Sequence, residues 1–341
     1  MKGSNTAILA SSMADIAASC PSESLRRESR YVIVSELRMG DGGSKDELAR
    51  ARKALFAVLG RWYLPRGYTL VLNGDIEDLR RFWLKDILAA WPEMYALFDA
   101  FKERQRLRKI VGERDLALLR LRSYPYELSH GLRLDGERSS ILVFHGHQAS
   151  PPCIGRDYLS DYMVRWLGSS KRVKAEEVEN DRRERFKAER RLYRAASRLR
   201  LIAVQGHTRR PLFESRTNRD SIRAEVERLL REGDPRQGDS KLKERSLVSP
   251  CLFSPGSVLG AKVQGALGLR MLEVEDGSVR LARWTAARGA AGRGPQGSVP
   301  QALEGTPYLR FETRSASIGG LFERINLLAP RRDEGPMGDE P

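Results

Sequence analysis

Short continuous apolar runs recur through the middle of the sequence, at 31–35, 69–73, 107–111, 141–145, 201–205, 251–254, 271–275 and 279–284. Runs of four or five β-branched and aliphatic residues suit strands buried on both faces. Between the early runs the apolar period lengthens to that of a helix. Ser44-Lys45-Asp46-Glu47 reads as a capping box, after which Leu48, Ala51, Leu55 and Leu59 share one face. A second helix is expected after Asn218, with Ile222, Val226, Leu229 and Leu230 as its buried stripe. This strand–helix alternation predicts an α/β protein with parallel strand pairs. The last two runs flank Glu275-Asp276-Gly277, a hairpin signal, so the sheet system is mixed.

The pattern divides the chain into three regions. Residues 1–29 are small, polar and unpatterned and read as a disordered leader. Residues 30–285 form the α/β domain, with a helical insertion at about 155–200. Within it, 174–200 reads as one long charged helix packing through Val178, Phe186, Leu192, Tyr193 and Leu199. That helix is a solvated face or, by its positive balance, a phosphate-facing one. Residues 286–341 read as a Gly/Pro-rich linker and a mostly disordered tail, interrupted by one short amphipathic helix near 313–330.

Composition adds less. At 341 residues, 40% hydrophobic and 31% charged, the chain is ordinary for a globular protein, but its formal charge of +15 is not. Such a field attracts phosphates, nucleic acid or anionic surfaces. Three scattered cysteines (Cys20, Cys153, Cys251) exclude a disulfide framework and a cysteine-rich zinc site, and suit a reducing cytoplasm. No apolar run is long enough for a transmembrane helix. The four histidines are His130, His145, His147 and His207.

In open α/β sheets catalytic groups gather beyond the carboxyl ends of the strands. Reading those positions in order gives Glu36-Leu37-Arg38, Gly74-Asp75 with Asp78, Gly112-Glu113-Arg114-Asp115, His145-Gly146-His147, Gly206-His207-Thr208-Arg209 and Pro255-Gly256-Ser257. The series resembles the calcineurin-like metallophosphoesterases, whose motifs read D-x-H, G-D-x-x-D, G-N-H-D, a lone His and G-H-x-H, before a strand closing in P-G-S. The resemblance spans about Tyr31 to Trp284. It implies a double β-sandwich flanked by helices, four layers in the order α/β/β/α. It also implies two divalent metals bridged by one carboxylate, which activate a hydroxide for in-line attack on a phosphoester.

The departures from that pattern bear on function. By the resemblance, metal one would be held by Glu36, Arg38, Asp75 and Arg209. A guanidinium has five donors, no acceptor and a permanent charge, so it cannot ligate a cation. Metal two would be held by Asp75, Glu113, His145 and His207, a set of oxygen and imidazole donors suited to Mn, Fe or Zn. At most one divalent metal is expected, or none. Arg114 stands where the family places its proton donor and cannot release a proton near neutrality. Arg38, Arg114 and Arg209 are therefore candidates for phosphate binding or ion pairing rather than acid–base work. His147 and Asp78 and Asp115 are expected to orient the ligands or serve structure, and His130 to lie at the surface. Tyr158, Tyr162 and Trp166 mark the region where substrate specificity would reside. Three functions follow. The first is a catalytically impaired phosphohydrolase-like protein that binds a phosphate-containing ligand. The second is a working one-metal phosphoesterase acting on a phosphomonoester or diester, and the third a nucleic-acid or polyanion binder.

Overall fold

The computed structural model describes residues 2–137, 140–149, 182–216, 249–259, 268–287 and 299–328. The helix expected after Asn218, the aromatic trio Tyr158, Tyr162 and Trp166, and the first part of the expected charged helix lie outside them.

The elements run α1 (Lys2–Ser19), β1 (Ser22–Ser24), β2 (Tyr31–Val34), α2 (Arg52–Val58), β3 (Thr69–Asn73), α3 (Leu84–Ala90), α4 (Pro92–Glu103), β4 (Leu107–Ile110), β5 (Leu128–Ser129), β6 (Gly131–Asp135), β7 (Ser140–Phe144), α5 (Arg182–Leu199), β8 (Ile202–Val204), β9 (Leu252–Phe253), β10 (Gly268–Glu275), β11 (Ser278–Ala286), β12 (Gln301–Ala302), β13 (Tyr308–Ser317) and α6 (Ile318–Leu328). Every apolar run singled out in the sequence is a strand. They form two sheets, one in the order β1-β6-β7-β8-β9 and a larger one in the order β12-β13-β11-β10-β2-β3-β4-β5. β2, β3, β4 and β5 are parallel, as are β7, β8 and β9, while β10, β11 and β13 run antiparallel. The sheet system is mixed, as the pattern requires.

Strand alternation builds the layers. Ile33, Val71, Ile110 and Leu272 leave the large sheet on one face and join the small sheet and helices α1, α5 and α6 in one apolar cluster. Val32, Val34, Leu70 and Leu72 leave it on the other and pack under Leu55, Val58, Met94, Phe98 and Phe101 of α2 and α4. This is the helix–sheet–sheet–helix stack expected from the resemblance. The hairpin also forms as read. Glu275 pairs with Ser278, and Asp276 and Gly277 take the left-handed turn at φ 50° and 68°.

Three expectations fail, each for a physical reason. Residues 1–29 are not a disordered leader. Leu9 and Met13 of α1 are fully buried beside β6 and α5, and β1 pairs in parallel with β6. Leu9, Ala10 and Met13, with Ile16 packed beside them, seat one face of a helix whose other positions are mostly small or polar. Nor is 286–341 mainly linker. β13 extends the large sheet along β11, and α6 buries Ile318, Leu321, Phe322 and Ile325. The expected amphipathic helix is therefore present, but it follows a ten-residue strand that the polar sequence YLRFETRSAS conceals. The capping box, finally, does not form at Ser44. Asp46 does that work, accepting the N–H groups of Gly40 and Gly42 (3.0 Å each) and Leu48 (2.9 Å), and the Trp91 indole N–H (3.0 Å). Of the charged helix, α5 covers 182–199, and it packs through Ala188, Leu192, Ala195 and Ala196 while Phe186 stays 55% exposed.

Candidate metal centre

The motif-bearing strand ends of both sheets meet at one rim. Ser35 Oγ donates to Asn73 O (2.7 Å), Glu36 N to Gly74 O (3.2 Å), and Val258 N to Ser35 O (3.0 Å). From the small sheet, His145 Nδ1 contacts the same Asn73 carbonyl at 3.0 Å, and the N–H groups of Gly206 and His207 both bond to His145 O (2.9 Å). The approach is so close that a β-carbon at Gly206 would collide with the Ser35 hydroxyl. At this rim Glu36, Arg38, Asp75 and Arg209 all take left-handed backbone conformations, at φ 59°, 51°, 55° and 59°. Non-glycine residues held there cost about 1–3 kcal/mol each and gather at functional sites.

The side chains converge as the ordered motifs imply, but they arrive paired with arginine. Glu36 Oε2 accepts Arg38 Nε at 2.7 Å, with both side chains almost wholly buried, and Arg209 Nε lies 3.7 Å from the same oxygen. Arg209 Nη2 reaches outward to Glu47 at 3.0 Å. Asp75 Oδ1 accepts the Arg114 backbone N–H (2.9 Å), and its Oδ2 lies 3.7 Å from Arg114 Nε. The Arg114 guanidinium bonds Asp78 at 2.9 Å, and Arg81 pairs with the other Asp78 oxygen. Glu113 faces Arg80 at 3.5 Å. Five carboxylates (Glu36, Glu47, Asp75, Asp78 and Glu113) thus face five guanidiniums (Arg38, Arg80, Arg81, Arg114 and Arg209). The cluster is balanced without an added cation.

Of the histidines beside this cluster, His145 brings a further positive charge and His147 does not. His145 Nε2 lies 3.5 Å from Asp75 Oδ1 and 3.6 Å from Glu36 Oε1. Burial pushes the His145 pKa down, but the Asp75 and Glu36 carboxylates outweigh it and raise it to about 10. Burial likewise opposes ionisation of Asp75, yet His145, Arg38 and Arg114 hold it well below the usual carboxylate range. His147, fully buried, is driven well below the ordinary imidazole value by burial and by the charges of His145 and His207. His130, expected at the surface, is half-buried.

Asp115 ties two motif loops together, accepting Gly112 N–H (2.6 Å) and Ile76 N–H (2.8 Å). Burial raises its pKa to about 6, with Lys109 pulling the other way and Asp75 and Glu77 adding to the rise. Beneath it lies a buried group that the sequence reading missed. Glu77 accepts Lys109 Nζ (2.5 Å) and the hydroxyls of Tyr95 (3.0 Å) and Tyr124 (2.7 Å). The two acids and one lysine are spread over 77–115, and a single sequence gives no sign that they meet.

Of the four donors expected for one metal, the structure brings together His145 and His207, joined by Glu36. The candidate ligand atoms of those three lie within 4.8 Å of one another, the arrangement among the described residues that fits an ion. Asp75 is held against His145 instead, and Glu113 lies 3.9 Å from His207 Nδ1. Two imidazoles and a carboxylate suit a single Zn, Mn or Fe ion. To take one, His145 must lose its proton, and Glu36 would ligate through Oε1, the oxygen that faces His145, while Oε2 stays with Arg38.

No protein-family model and no curated protein matches the chain. Among solved structures it is similar to Yfce, a phosphoesterase from E. coli, at 14% identity and a TM-score of 0.34, covering 85% of this chain and 99% of that one. A Vps29 single mutant from Entamoeba histolytica matches at 11% identity and a TM-score of 0.31, covering 76% and 94%. A conserved uncharacterised protein of Streptococcus pneumoniae TIGR4, described as a predicted phosphoesterase, matches at 12% and 0.29, covering 75% and 89%. The two packed sheets, with the ordered motif ends at a single rim, agree with the double-sandwich fold that the resemblance in sequence implies.

Proposed function

We propose that this chain is a metallophosphoesterase-like protein whose first metal position has been taken over by arginine, leaving it impaired in hydrolysis and able to bind a phosphate-containing ligand. The contact that carries this reading is the buried 2.7 Å pair between Arg38 and Glu36. An Arg–carboxylate pair of that kind supplies fixed positive charge where the family uses a cation. The proton donor is lost as well, since Arg114 spends its guanidinium on Asp78 and keeps its proton at any ordinary pH.

The ligand-facing groups differ from those at the centre in exposure. Arg38 and Arg114 are 4% and 7% exposed, whereas Arg80, Arg209 and Arg81 are 16%, 24% and 36% exposed. The outer three can exchange a carboxylate partner for a phosphate oxygen at little cost, because partly solvated pairs are weakly held.

The trio Glu36, His145 and His207 favours a second reading, a one-metal phosphoesterase. An ion held there would polarise a phosphoryl oxygen and activate water. The chain itself would contribute Arg209 and Arg80 to hold the phosphoryl group, and His145 would release its proton to solvent as an ion took its place on the ring nitrogen. Metal analysis combined with assays on a generic phosphomonoester and phosphodiester in added Mn decides between the two. The first reading expects one equivalent of metal or less and rates near background. Substantial hydrolysis that disappears in His145→Ala, or two bound equivalents, overturns it.

A further inference from the structure

β10 and β11 run on past the end of β2 toward the rim that carries the candidate centre. Ile33 pairs with Leu272, and the Arg270 N–H then bonds Val258 O (3.0 Å). Along this extension the inner face of the sheet changes character. Leu272 opposes Leu281 and Val274 opposes Val279, all four in the core between the sheets. By the two-residue period of a strand, the next pair on that face is Arg270 opposite Arg283. Like charges directly opposed in an antiparallel pair repel.

Among the described residues no carboxylate acts on either guanidinium. Arg283 stacks over the Phe311 ring at 5.3 Å, and its Nε is shielded from solvent without a hydrogen bond. The following pair continues the theme. Thr285 is 2% exposed and its hydroxyl has no hydrogen-bond partner, while Gly268 opposite adds no side chain. Burial disfavours the charged form of both arginines, and for Arg270 the Arg283 charge adds to it. In sequence, the segments 260–267 and 288–298 beside these strand ends carry Lys262, Arg288 and Arg293 and neither Asp nor Glu.

We propose that Arg270, Arg283 and Thr285 form a second oxyanion site, which takes a phosphate group against the inner face of β10 and β11. Buried donors without an acceptor are costly, and an anion between these strands would satisfy Arg283 Nε and the Thr285 hydroxyl together. Two guanidiniums supply two positive charges, which match a phosphate dianion better than a carboxylate monoanion. Each presents a planar fork suited to phosphate oxygens, and the Phe311 ring holds the Arg283 fork in place. The site is separate from the arginine–carboxylate centre, whose guanidiniums already have anions, and it stands whether or not that centre binds a ligand.

The test is NMR of the full chain labelled with 15N-arginine, following the side-chain Nε–Hε resonances during titration with inorganic phosphate at constant ionic strength. Arg270 and Arg283 are assigned by the signals that vanish in Arg270→Lys and Arg283→Lys. The expected result is a saturable shift of both, absent with chloride, weak with acetate, and lost at Arg283 in Arg270→Gln. Resonances that stay still in phosphate, or move equally in acetate, overturn the proposal. The Arg209 and Arg80 signals report the candidate centre in the same spectra, so failure of one site is read separately from failure of the other.

Discussion

Two buried carboxylates in this fold are each met by arginine, and they are treated differently. Glu273, on β10, is saturated. Its Oε1 accepts the Tyr63 hydroxyl (2.5 Å) and Arg310 Nε (3.0 Å), and its Oε2 pairs with Arg310 Nη2. Trp284 Nε1 in turn donates to the Tyr63 oxygen at 3.1 Å. Asp75, at the rim, has one backbone N–H on Oδ1, and its buried Oδ2 has no hydrogen bond although Arg114 and His145 stand 3.7 and 3.5 Å from its oxygens. The first cluster is a finished bidentate pair that locks β13 to β10. The second is held by charge at a distance, in left-handed backbone, with acceptor capacity left over. A group kept in that state is what a site looks like when its geometry was set by something other than its own hydrogen bonding.

The largest effect that would sharpen this contrast is at the finished pair. Arg310→Ala leaves Glu273 buried beside a tyrosine with its charge unmatched, and about 3–5 kcal/mol of stability should be lost. Urea denaturation measures it. Because Arg310 also joins β13 to the sheet, the loss should come with earlier proteolysis after residue 300. If Arg310→Ala costs no more than a surface substitution, the two clusters do not differ as described.

Gly112→Ala comes next. A β-carbon there would strike the Asp75 carboxylate and its backbone N–H. Overpacking of this sort costs about 1–3 kcal/mol. The more telling outcome is that Asp75 must move from Arg114 N–H, so any metal or phosphate binding at the rim should change with it. A Gly112→Ala variant of unchanged stability and ligand response would mean that the rim is looser than its contacts indicate.

How far the sequence revealed these two clusters follows from their construction. The rim was legible because its residues stand at strand ends in a fixed order, so Glu36, Asp75, Glu113, His145, His207 and the three arginines were all found by position. What was not legible is which of them pair. The resemblance set Glu36 with the other metal, yet it lies with His145 and His207, while Glu113 is drawn toward Arg80. Side-chain length and backbone twist decide that, and spacing carries neither. The Glu273–Tyr63–Arg310 cluster left no trace, because its members are 210 and 37 residues apart and none belongs to a motif. The same limit hid β13 and α1. A strand of alternating charge and a helix of small residues become legible only with the partners that bury one face.

A smaller effect is expected at Asp75 itself. Asp75→Asn keeps an acceptor for Arg114 N–H and removes a charge whose neighbours have other anions to turn to, Arg38 and His145 at Glu36 and Arg114 at Asp78. About 1–2 kcal/mol should be lost, less than for Arg310→Ala. A loss as large as that of the finished pair would erase the distinction.

The finest test is pH, and it separates the clusters without any change in packing. His145 has an ordinary value of 6.5 that is raised to about 10 in the fold, so the folded state holds the proton more tightly than the unfolded chain. Its contribution to stability is complete below pH 6.5 and is lost as pH rises through about 10. Asp75 acts in the opposite direction. Held well below 3.8, it contributes above that value and loses its contribution as pH falls further. The rim should therefore be most stable in mildly acidic solution and should weaken through the alkaline range as His145 is neutralised. Arg310 keeps its charge throughout that range, so the finished pair should show no such decline. Thermal melts across the alkaline range, compared between the wild type and Asp75→Asn, measure the difference. In the variant the decline should be smaller and should end at lower pH, because the carboxylate that holds the His145 proton is gone. An added divalent metal should flatten the wild-type decline, since it binds the neutral imidazole and stabilises the fold where the proton has left. A wild-type curve that is flat through the alkaline range would show that His145 is already neutral, and the rim would then be a metal site in waiting rather than a finished ion-pair cluster.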